Sequence, residues 1–299
     1  MPAKYFICPD NERIEIEKCL SFKGCRMTER CATLPYLRVA SYDREYTGIT
    51  PSMAGTGARQ IYLKATCDYA INPNDRAFSV LGIGTHNKLS IHRYTNNVLS
   101  EEKLSDEDSK GIADVLEQDE WNDGYYILND YKTWGSYKVA LALGLVYNDV
   151  PVFDDYGNPI LYVKGNKKGK QKTTKEATID SSNADLFSEE MQINRYRIFF
   201  EREGFLISKM NVFSLPRDGS THIAKYRCID KNIYTIPIKH INDNIVLEYY
   251  KVKQESVDFA FEHDKIEKCN NYESWNGRRC DGYCEVSEQC KEMDKGGVL

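Results

Sequence analysis

The spacing of apolar residues predicts several helices along the chain. Residues 53–88 carry apolar side chains at helical intervals, and Asn-Pro-Asn at 72–74 interrupts the pattern. Residues 186–203 and 242–263 show the same periodicity, and the second of these ranges is strongly amphipathic. A shorter helix is predicted to begin at Ser136, because the serine side chain can cap the helix N-terminus. The sequence of this helix is apolar enough for it to pack against a sheet.

Strands are predicted between these helices. Residues 111–117 and 125–132 flank a turn-rich segment, which indicates an antiparallel hairpin. Residues 205–219 and 221–238 also favour strands, and the acidic residues 101–108 are expected to form a solvated loop or a helix start. This order of elements predicts an α/β fold with a mixed central sheet flanked by helices.

Composition limits the classes of protein that the chain can belong to. Hydrophobic residues make up 41% of the sequence and charged residues 28%, which is typical of a globular protein rather than a disordered one. The net charge of −5 provides no global basic surface for nucleic acid. Acidic residues occur in the N-terminal segment, where a signal peptide would need an uninterrupted apolar region. The longest apolar stretch, residues 139–147, is too short to span a bilayer. We therefore expect a soluble, cytoplasmic protein without a membrane partner.

A lysine-rich segment, predicted as an insertion over 163–185, stands out in this acidic chain. Residues 164–175 contain six lysines in twelve positions and almost no apolar side chains. This composition is typical of a mobile, solvated loop. A flexible arm that neutralises DNA phosphates is the alternative interpretation.

Candidate chemistry comes from the predicted hairpin. Because side chains alternate along a strand, Asp130 and Lys132 share one face of the segment 125–132, and pairing of the two strands would bring Asp114 near Asp130. Two converging carboxylates repel each other, and a hard divalent cation such as Mg²⁺ relieves that repulsion. A lone Asp-x-Lys sequence otherwise indicates only a surface ion pair.

Four motifs that follow one another along the chain favour a catalytic interpretation of Asp130 and Lys132 over a surface ion pair. They are GIGTH, ending at His86; GIADVLE, with Asp114; LNDYKT, with Asp130 and Lys132; and QINRY, with Gln192 and Tyr196. Over residues 49–203 the chain resembles the PD-(D/E)XK nuclease superfamily, in particular RecB-like, CRISPR-associated exonucleases with an iron-sulfur cluster. The resemblance implies a restriction-endonuclease-like core. It also implies metal ligands from His86, Asp114, Asp130 and the Tyr131 carbonyl, and catalytic roles for Asp114, Asp130, Lys132, Gln192 and Tyr196. His92 and Glu117 are alternative ligands or supporting groups.

The function implied by this resemblance is hydrolysis of DNA by a nuclease that depends on Mg²⁺ or Mn²⁺. We expect an exonuclease acting on single strands or duplex ends, with protein partners in DNA repair, recombination or CRISPR adaptation. One alternative is a nucleic-acid-binding module with the same core and little or no cleavage activity. Another is a structural or regulatory zinc protein in which the Asp-x-Lys strand is a coincidence.

Eight of the ten cysteines lie at the two ends of the chain, so residues 1–45 and 265–299 are predicted as small metal-stapled caps on a nuclease core of residues 46–264. We expect zinc at Cys8, Cys19, Cys25 and Cys31, and zinc or an iron-sulfur cluster at Cys269, Cys280, Cys284 and Cys290. The C-terminal trio resembles the cluster cysteines of the relatives, but Gly57 stands where their fourth cysteine would be. Cys269 could complete a local site, or Cys31 could cross to the trio. Cys67 and Cys228 are interpreted as small core residues.

Overall fold

The computed structural model describes residues 3–91 and 97–296 and has an α/β fold with mixed sheets flanked by helices. His92, an alternative ligand, lies outside the described residues. The elements in chain order are β1 (Tyr5–Ile7), β2 (Arg13–Glu15), α1 (Ile16–Leu20), α2 (Leu34–Ala40), α3 (Ala58–Thr66), β3 (Ala70–Ile71), α4 (Ala77–Ser90), β4 (Val98–Ser105), β5 (Lys110–Gln118), β6 (Tyr125–Lys132), α5 (Ser136–Ala142), β7 (Leu145–Pro151), β8 (Thr173–Ile179), α6 (Phe187–Arg202), β9 (Leu206–Ser214), α7 (His222–Tyr226), β10 (Tyr234–Pro237), α8 (Asp243–His263) and α9 (Ser287–Asp294). Within residues 3–91 and 97–296, none of the helices combines the length and the apolar character that a membrane span requires.

The strands form three sheets. The first has the order β2-β1-β3, and it is mixed because Phe6 of β1 lies opposite Ile14 in antiparallel β2 and opposite Ile71 in parallel β3. The second has the order β10-β9-β6-β5-β4, with antiparallel pairing of β4 with β5 and of β9 with β10. The third consists of the antiparallel strands β7 and β8.

The chain forms two compact units. The first unit contains Met1–Leu128, Ser188–Met210 and Lys239–Leu299, and the second contains Asn129–Phe187 and Asn211–Ile238. The chain therefore passes between the units four times: within β6, at the start of α6, within β9 and after β10. The predicted boundaries at residues 45 and 264 follow the cysteine distribution, whereas this division follows contacts in space.

The core of the first unit forms around helices α3, α6 and α8. The buried residues of α8 are Val246, Tyr250, Lys253, Val257 and Ala260, and their spacing of three or four positions places them on one face of the helix. That face packs with Ile61 of α3 and with Met191 and Ile198 of α6. Burial of each large apolar side chain contributes about 1.5 to 3 kcal/mol to folding.

The second unit has its own small core, which includes Val139, Ala140, Ala224 and Ile229. Helix α5 begins as predicted at Ser136, but the cap comes from another residue. Asp218 accepts hydrogen bonds from the Ser136 backbone N–H at 2.6 Å and from its hydroxyl at 2.7 Å. The helix ends at Ala142, and Gly144, whose φ is 65°, allows the turn into β7.

Three predicted elements differ from the observed ones. The lysine-rich segment, predicted as a mobile loop, contains part of the paired strand β8. The segment 221–238 was predicted as a strand, but it contains the short helix α7, whose first turn is capped by the Thr221 side chain accepting a hydrogen bond from the Ala224 N–H. The acidic segment 101–108 was predicted as a loop or a helix start, but residues up to Ser105 belong to β4. Antiparallel pairing with β5 overrides the weak strand propensity of these acidic residues.

Candidate metal and nuclease site

Three side chains of the first unit meet beside the β4–β5 ladder. They are His86 from α4, Glu101 from β4 and Asp114 from β5, and one ligand atom of each lies within 4.8 Å of the others. The Nδ1 atom of His86 lies 3.2 Å from Oδ1 of Asp114 and 3.9 Å from Oε1 of Glu101. Among the described residues, no other group of three or more histidine, cysteine or carboxylate side chains meets this closely.

Strand pairing explains why the two carboxylates converge. Ser100 pairs with Val115 and Glu102 pairs with Ala113, so Glu101 stands across the ladder from Asp114. Glu101 has a φ of 55°, which is unusual for a residue other than glycine and departs from regular strand geometry. Strained backbone of this kind persists where the surrounding structure fixes it, and it is concentrated at functional sites.

The electrostatics of the trio favour a bound cation. Partial burial and then the negative charge of Asp114 raise the pKa of Glu101, although His86 and Arg44 act in the opposite direction. Acidic side chains directly opposite each other destabilise an antiparallel pair. A divalent cation between these carboxylates would remove that repulsion.

The donor set fits the cation that the sequence implies. Two carboxylates and one imidazole supply oxygen and nitrogen ligands, which suit Mn²⁺, while Mg²⁺ would rely chiefly on the carboxylates and water. All three side chains are half-buried, so a cation held here would keep access to solvent and substrate. His86 and Asp114 were predicted as ligands from the sequence, whereas Glu101 was not.

The second unit contains the predicted Asp-x-Lys pair. The Nζ atom of Lys132 lies 2.6 Å from Oδ2 of Asp130, and the Asp130 residue is only 3% exposed. Burial does not alternate strictly here, because Leu128, Asn129 and Asp130 are all buried. The amide of Asn129 is part of this packing, and its side-chain oxygen accepts a hydrogen bond from Asn211 at 3.0 Å.

The remaining predicted residues occupy different environments. Tyr196 is buried on α6, and a Cβ atom on Gly111 would lie 2.7 Å from its ring, so Gly111 allows β5 to approach the tyrosine closely. Gln192 is half-buried one turn earlier on the same helix. Tyr131 is half-buried and packs its ring edge-to-face against Phe213 at 5.7 Å. Glu117, the alternative ligand, is exposed on β5.

The C-terminal cysteines lie near one another in the first unit. Burial raises the pKa values of Cys269, Cys284 and Cys290. Neighbouring thiolates make smaller contributions, and the charge of Cys280 contributes to the raised pKa values of Cys284 and Cys290. A Cβ atom on Gly57 would lie 2.4 Å from Sγ of Cys269. Cys269 therefore fills the space beside Gly57.

The N-terminal cysteines also form a neighbourhood in the first unit. Cys8 and Cys19 are buried, and burial raises the pKa of Cys19, with further contributions from the thiolates of Cys25, Cys31 and Cys8. The thiols of Cys8 and Cys19 share a hydrophobic cluster with Phe6. Cys284 and Cys290 of the C-terminal group pack against this same cluster. Within the described residues, no three cysteine sulfurs lie as close together as the ligand atoms of the His86 trio.

Comparisons with known proteins leave the chain without an assigned family. No protein-family model matches the sequence, and no curated protein matches it. A solved structure titled "Crystal structure of SSO0001" aligns with 85% of this chain and 90% of its own, at 14% sequence identity and a TM-score of 0.39. A likeness this weak carries no argument about fold or function, so any function must be argued from the residues themselves.

Proposed function

We propose that this protein is a divalent-metal-dependent DNA nuclease with a PD-(D/E)XK, RecB-like core. The observation that carries the proposal is the convergence of His86, Glu101 and Asp114 in the first unit. Support comes from the sequence order, since His86 and Asp114 belong to motifs that precede the Asp130–Lys132 strand and the Gln192–Tyr196 helix.

The roles of the residues follow from their chemistry. His86, Glu101 and Asp114 would hold Mg²⁺ or Mn²⁺, and the bound cation would polarise a phosphate oxygen and lower the pKa of a water molecule. By the resemblance in sequence, Lys132 would stabilise the developing negative charge or orient the attacking water. Oδ2 of Asp130 lies 2.6 Å from the Nζ atom of Lys132 and would orient that ammonium.

The test is incubation of end-labelled linear DNA and closed circular DNA with the purified protein in Mg²⁺, in Mn²⁺ and in EDTA. We expect linear DNA to be degraded from its ends in either metal, and both substrates to survive in EDTA. Cleavage of the closed circle would identify an endonuclease. Tight DNA binding without cleavage would favour the alternative of a binding module, for which the exposed lysines of residues 164–175 provide support.

We assign structural metal to the cysteine groups on the basis of their grouping in sequence and space. Thiolate sets of four suit tetrahedral zinc, and a four-iron cluster is the alternative for Cys269, Cys280, Cys284 and Cys290. Elemental analysis with a visible absorption spectrum distinguishes the two metals. Zinc at the N-terminal group is expected. A brown protein whose iron content disappears only in the variants of the N-terminal cysteines would overturn that assignment.

A further inference from the structure

The lysine-rich segment is part of an ordered ribbon in the second unit, which we call the basic arm and define as residues 145–179. Strands β7 and β8 pair from Leu145 opposite Ile179 to Pro151 opposite Thr173. Backbone pairing continues beyond the strands, through bridges of Phe153 with Pro159 and of Leu161 with Gln171. Backbone hydrogen bonds therefore fix the positions of residues that the sequence predicted to form a mobile loop.

The charge on the arm is concentrated and accessible. Residues 160–175 contain six lysines and no acidic residue, and all six lysines are exposed. The four acidic residues of the arm lie outside that range, at Asp149, Asp154, Asp155 and Glu176. Within residues 3–91 and 97–296, none of these six ammonium groups forms an ion pair with a carboxylate. The six lysines are Lys164, Lys167, Lys168, Lys170, Lys172 and Lys175.

Aromatic rings accompany the lysines along the arm. The Nζ atom of Lys175 lies 5.4 Å from the ring centre of Tyr147, and that of Lys167 lies 5.6 Å from the ring centre of Tyr162. Tyr156 at the first turn is 92% exposed and Phe153 beside it is 54% exposed. The arm thus offers ammonium groups at tyrosine faces and open rings at its first turn.

These features together select the ligand class. Exposed apolar and aromatic surface on a ribbon with little core of its own marks a binding surface. A polyanion would neutralise the charge of the lysines. Unpaired bases would stack on the exposed aromatic rings, which contributes about 1 to 3 kcal/mol per base. Duplex DNA has the phosphates but keeps its bases stacked inside. We infer that the basic arm binds single-stranded nucleic acid, with phosphates on the lysines and bases on Phe153 and Tyr156.

This inference deepens the proposed nuclease function and rests on it for biological meaning, because the arm would retain the strand that the nuclease cuts. Binding itself requires neither the metal nor cleavage. A measurement in EDTA therefore tests the arm independently of the catalytic residues.

The experiment measures binding of a fluorescent thymidine oligonucleotide by anisotropy in EDTA over a range of salt concentrations. The test variant combines Lys164→Gln, Lys167→Gln, Lys168→Gln and Lys170→Gln. The control variant combines Lys251→Gln, Lys265→Gln, Lys291→Gln and Lys295→Gln, which removes the same charge from exposed positions in the first unit. Each lost phosphate contact on a single strand changes the slope of log affinity against log salt by about 0.7.

We expect the arm variant to lose affinity at least tenfold and its salt slope to become shallower by about 3, because four contacts are removed. The control should keep the slope of the natural protein. Phe153→Ala with Tyr156→Ala should weaken binding of the thymidine oligonucleotide while leaving binding of an abasic oligonucleotide unchanged. Equal slopes for the arm and control variants would overturn the inference, as would binding only to anionic lipid vesicles.

A parallel cleavage assay in Mn²⁺ tests the nuclease proposal separately from nucleic-acid binding by the basic arm. If the natural protein cleaves DNA while the arm variant binds normally, the arm inference fails and the nuclease proposal stands. If the natural protein binds through the arm but does not cleave, the arm inference stands and the nuclease proposal fails.

Discussion

Glu101 stands across the antiparallel ladder from Asp114, and both carboxylates approach the imidazole of His86. This relationship joins a strand residue with left-handed backbone geometry to the aspartate of the motif GIADVLE. It places two acidic groups together, and after burial the negative charge of Asp114 further raises the pKa of Glu101.

Removal of one carboxylate from the trio should weaken the stabilisation of the folded protein by metal. Mn²⁺ is expected to raise the melting temperature of the natural protein, because a ligand that binds the folded state alone stabilises it. Glu101→Gln and Asp114→Asn should each lower Mn²⁺ affinity about tenfold or more. Without metal, Glu101→Gln should be at least as stable as the natural protein, because like charges no longer face each other.

Thermal unfolding with and without Mn²⁺, together with calorimetric titration, checks this prediction. His263→Ala is the matched control, since His263 is exposed on α8 and lies outside the trio. Equal thermal shifts in Asp114→Asn and in the natural protein would show that the metal binds elsewhere.

The Asp130–Lys132 pair allows catalysis to be separated from stability. Lys132→Ala should cost about 3 kcal/mol of folding free energy, because it deprives a buried carboxylate of this ammonium partner. It should also reduce the DNA cleavage rate by about 100-fold or more, because a charge stabilising the transition state is lost. The double variant Asp130→Asn with Lys132→Met removes both charges and should recover stability but not cleavage.

Urea unfolding and single-turnover cleavage of the same preparations measure the two effects. A stable double variant that cleaves DNA at the natural rate would assign this ion pair a purely structural role.

The sequence predicted much of the fold and part of the candidate site, for identifiable reasons. Apolar periodicity located helix α8, which has one continuous buried face, and helix α6, in which every residue from Ile193 to Phe200 is buried. The motif around Asp114 and the position of His86 also followed from the sequence. Glu101 did not, because its role depends on the partner strand across the ladder and because an acidic run normally indicates solvated structure. Helix α7 was missed since its β-like sequence is overridden by capping and packing of Ala224.

Asp106 should confer stability that depends on pH. Burial opposes ionisation of this residue, but the hydrogen bonds and charge of buried Arg195, with backbone N–H donors, outweigh it and lower the pKa of Asp106. Stability from a lowered pKa is complete above the unfolded-state value and is lost as pH falls through the folded value. Asp106→Asn should therefore cost about 2 to 3 kcal/mol at pH 7, and less below about pH 4.

Urea unfolding at pH 7, 4 and 3 measures this difference. Asp108→Asn is the matched control, because Asp108 is exposed and its change should stay within about 0.5 kcal/mol. A loss that is independent of pH would contradict the ionic role of Asp106.

Gly57 should be intolerant of a methyl group. A Cβ atom there would lie 2.4 Å from Sγ of Cys269, so Gly57→Ala must displace that cysteine and should cost about 1 to 3 kcal/mol. Gly84→Ala is the control, and it should change the free energy of unfolding in the opposite direction. No atom lies within 4 Å of the added Cβ at Gly84, and alanine within helix α4 should increase stability by about 0.5 to 1 kcal/mol. Comparable stability of both variants by urea unfolding would contradict the close packing at Cys269.

Cleavage of end-labelled linear DNA by the natural protein and by Asp114→Asn, in Mn²⁺ and in EDTA, tests the central proposal most directly. The account predicts degradation by the natural protein in Mn²⁺ alone, and a rate at least about 100-fold lower for the variant despite normal folding. Cleavage by Asp114→Asn at the natural rate, or cleavage that persists in EDTA, would contradict it.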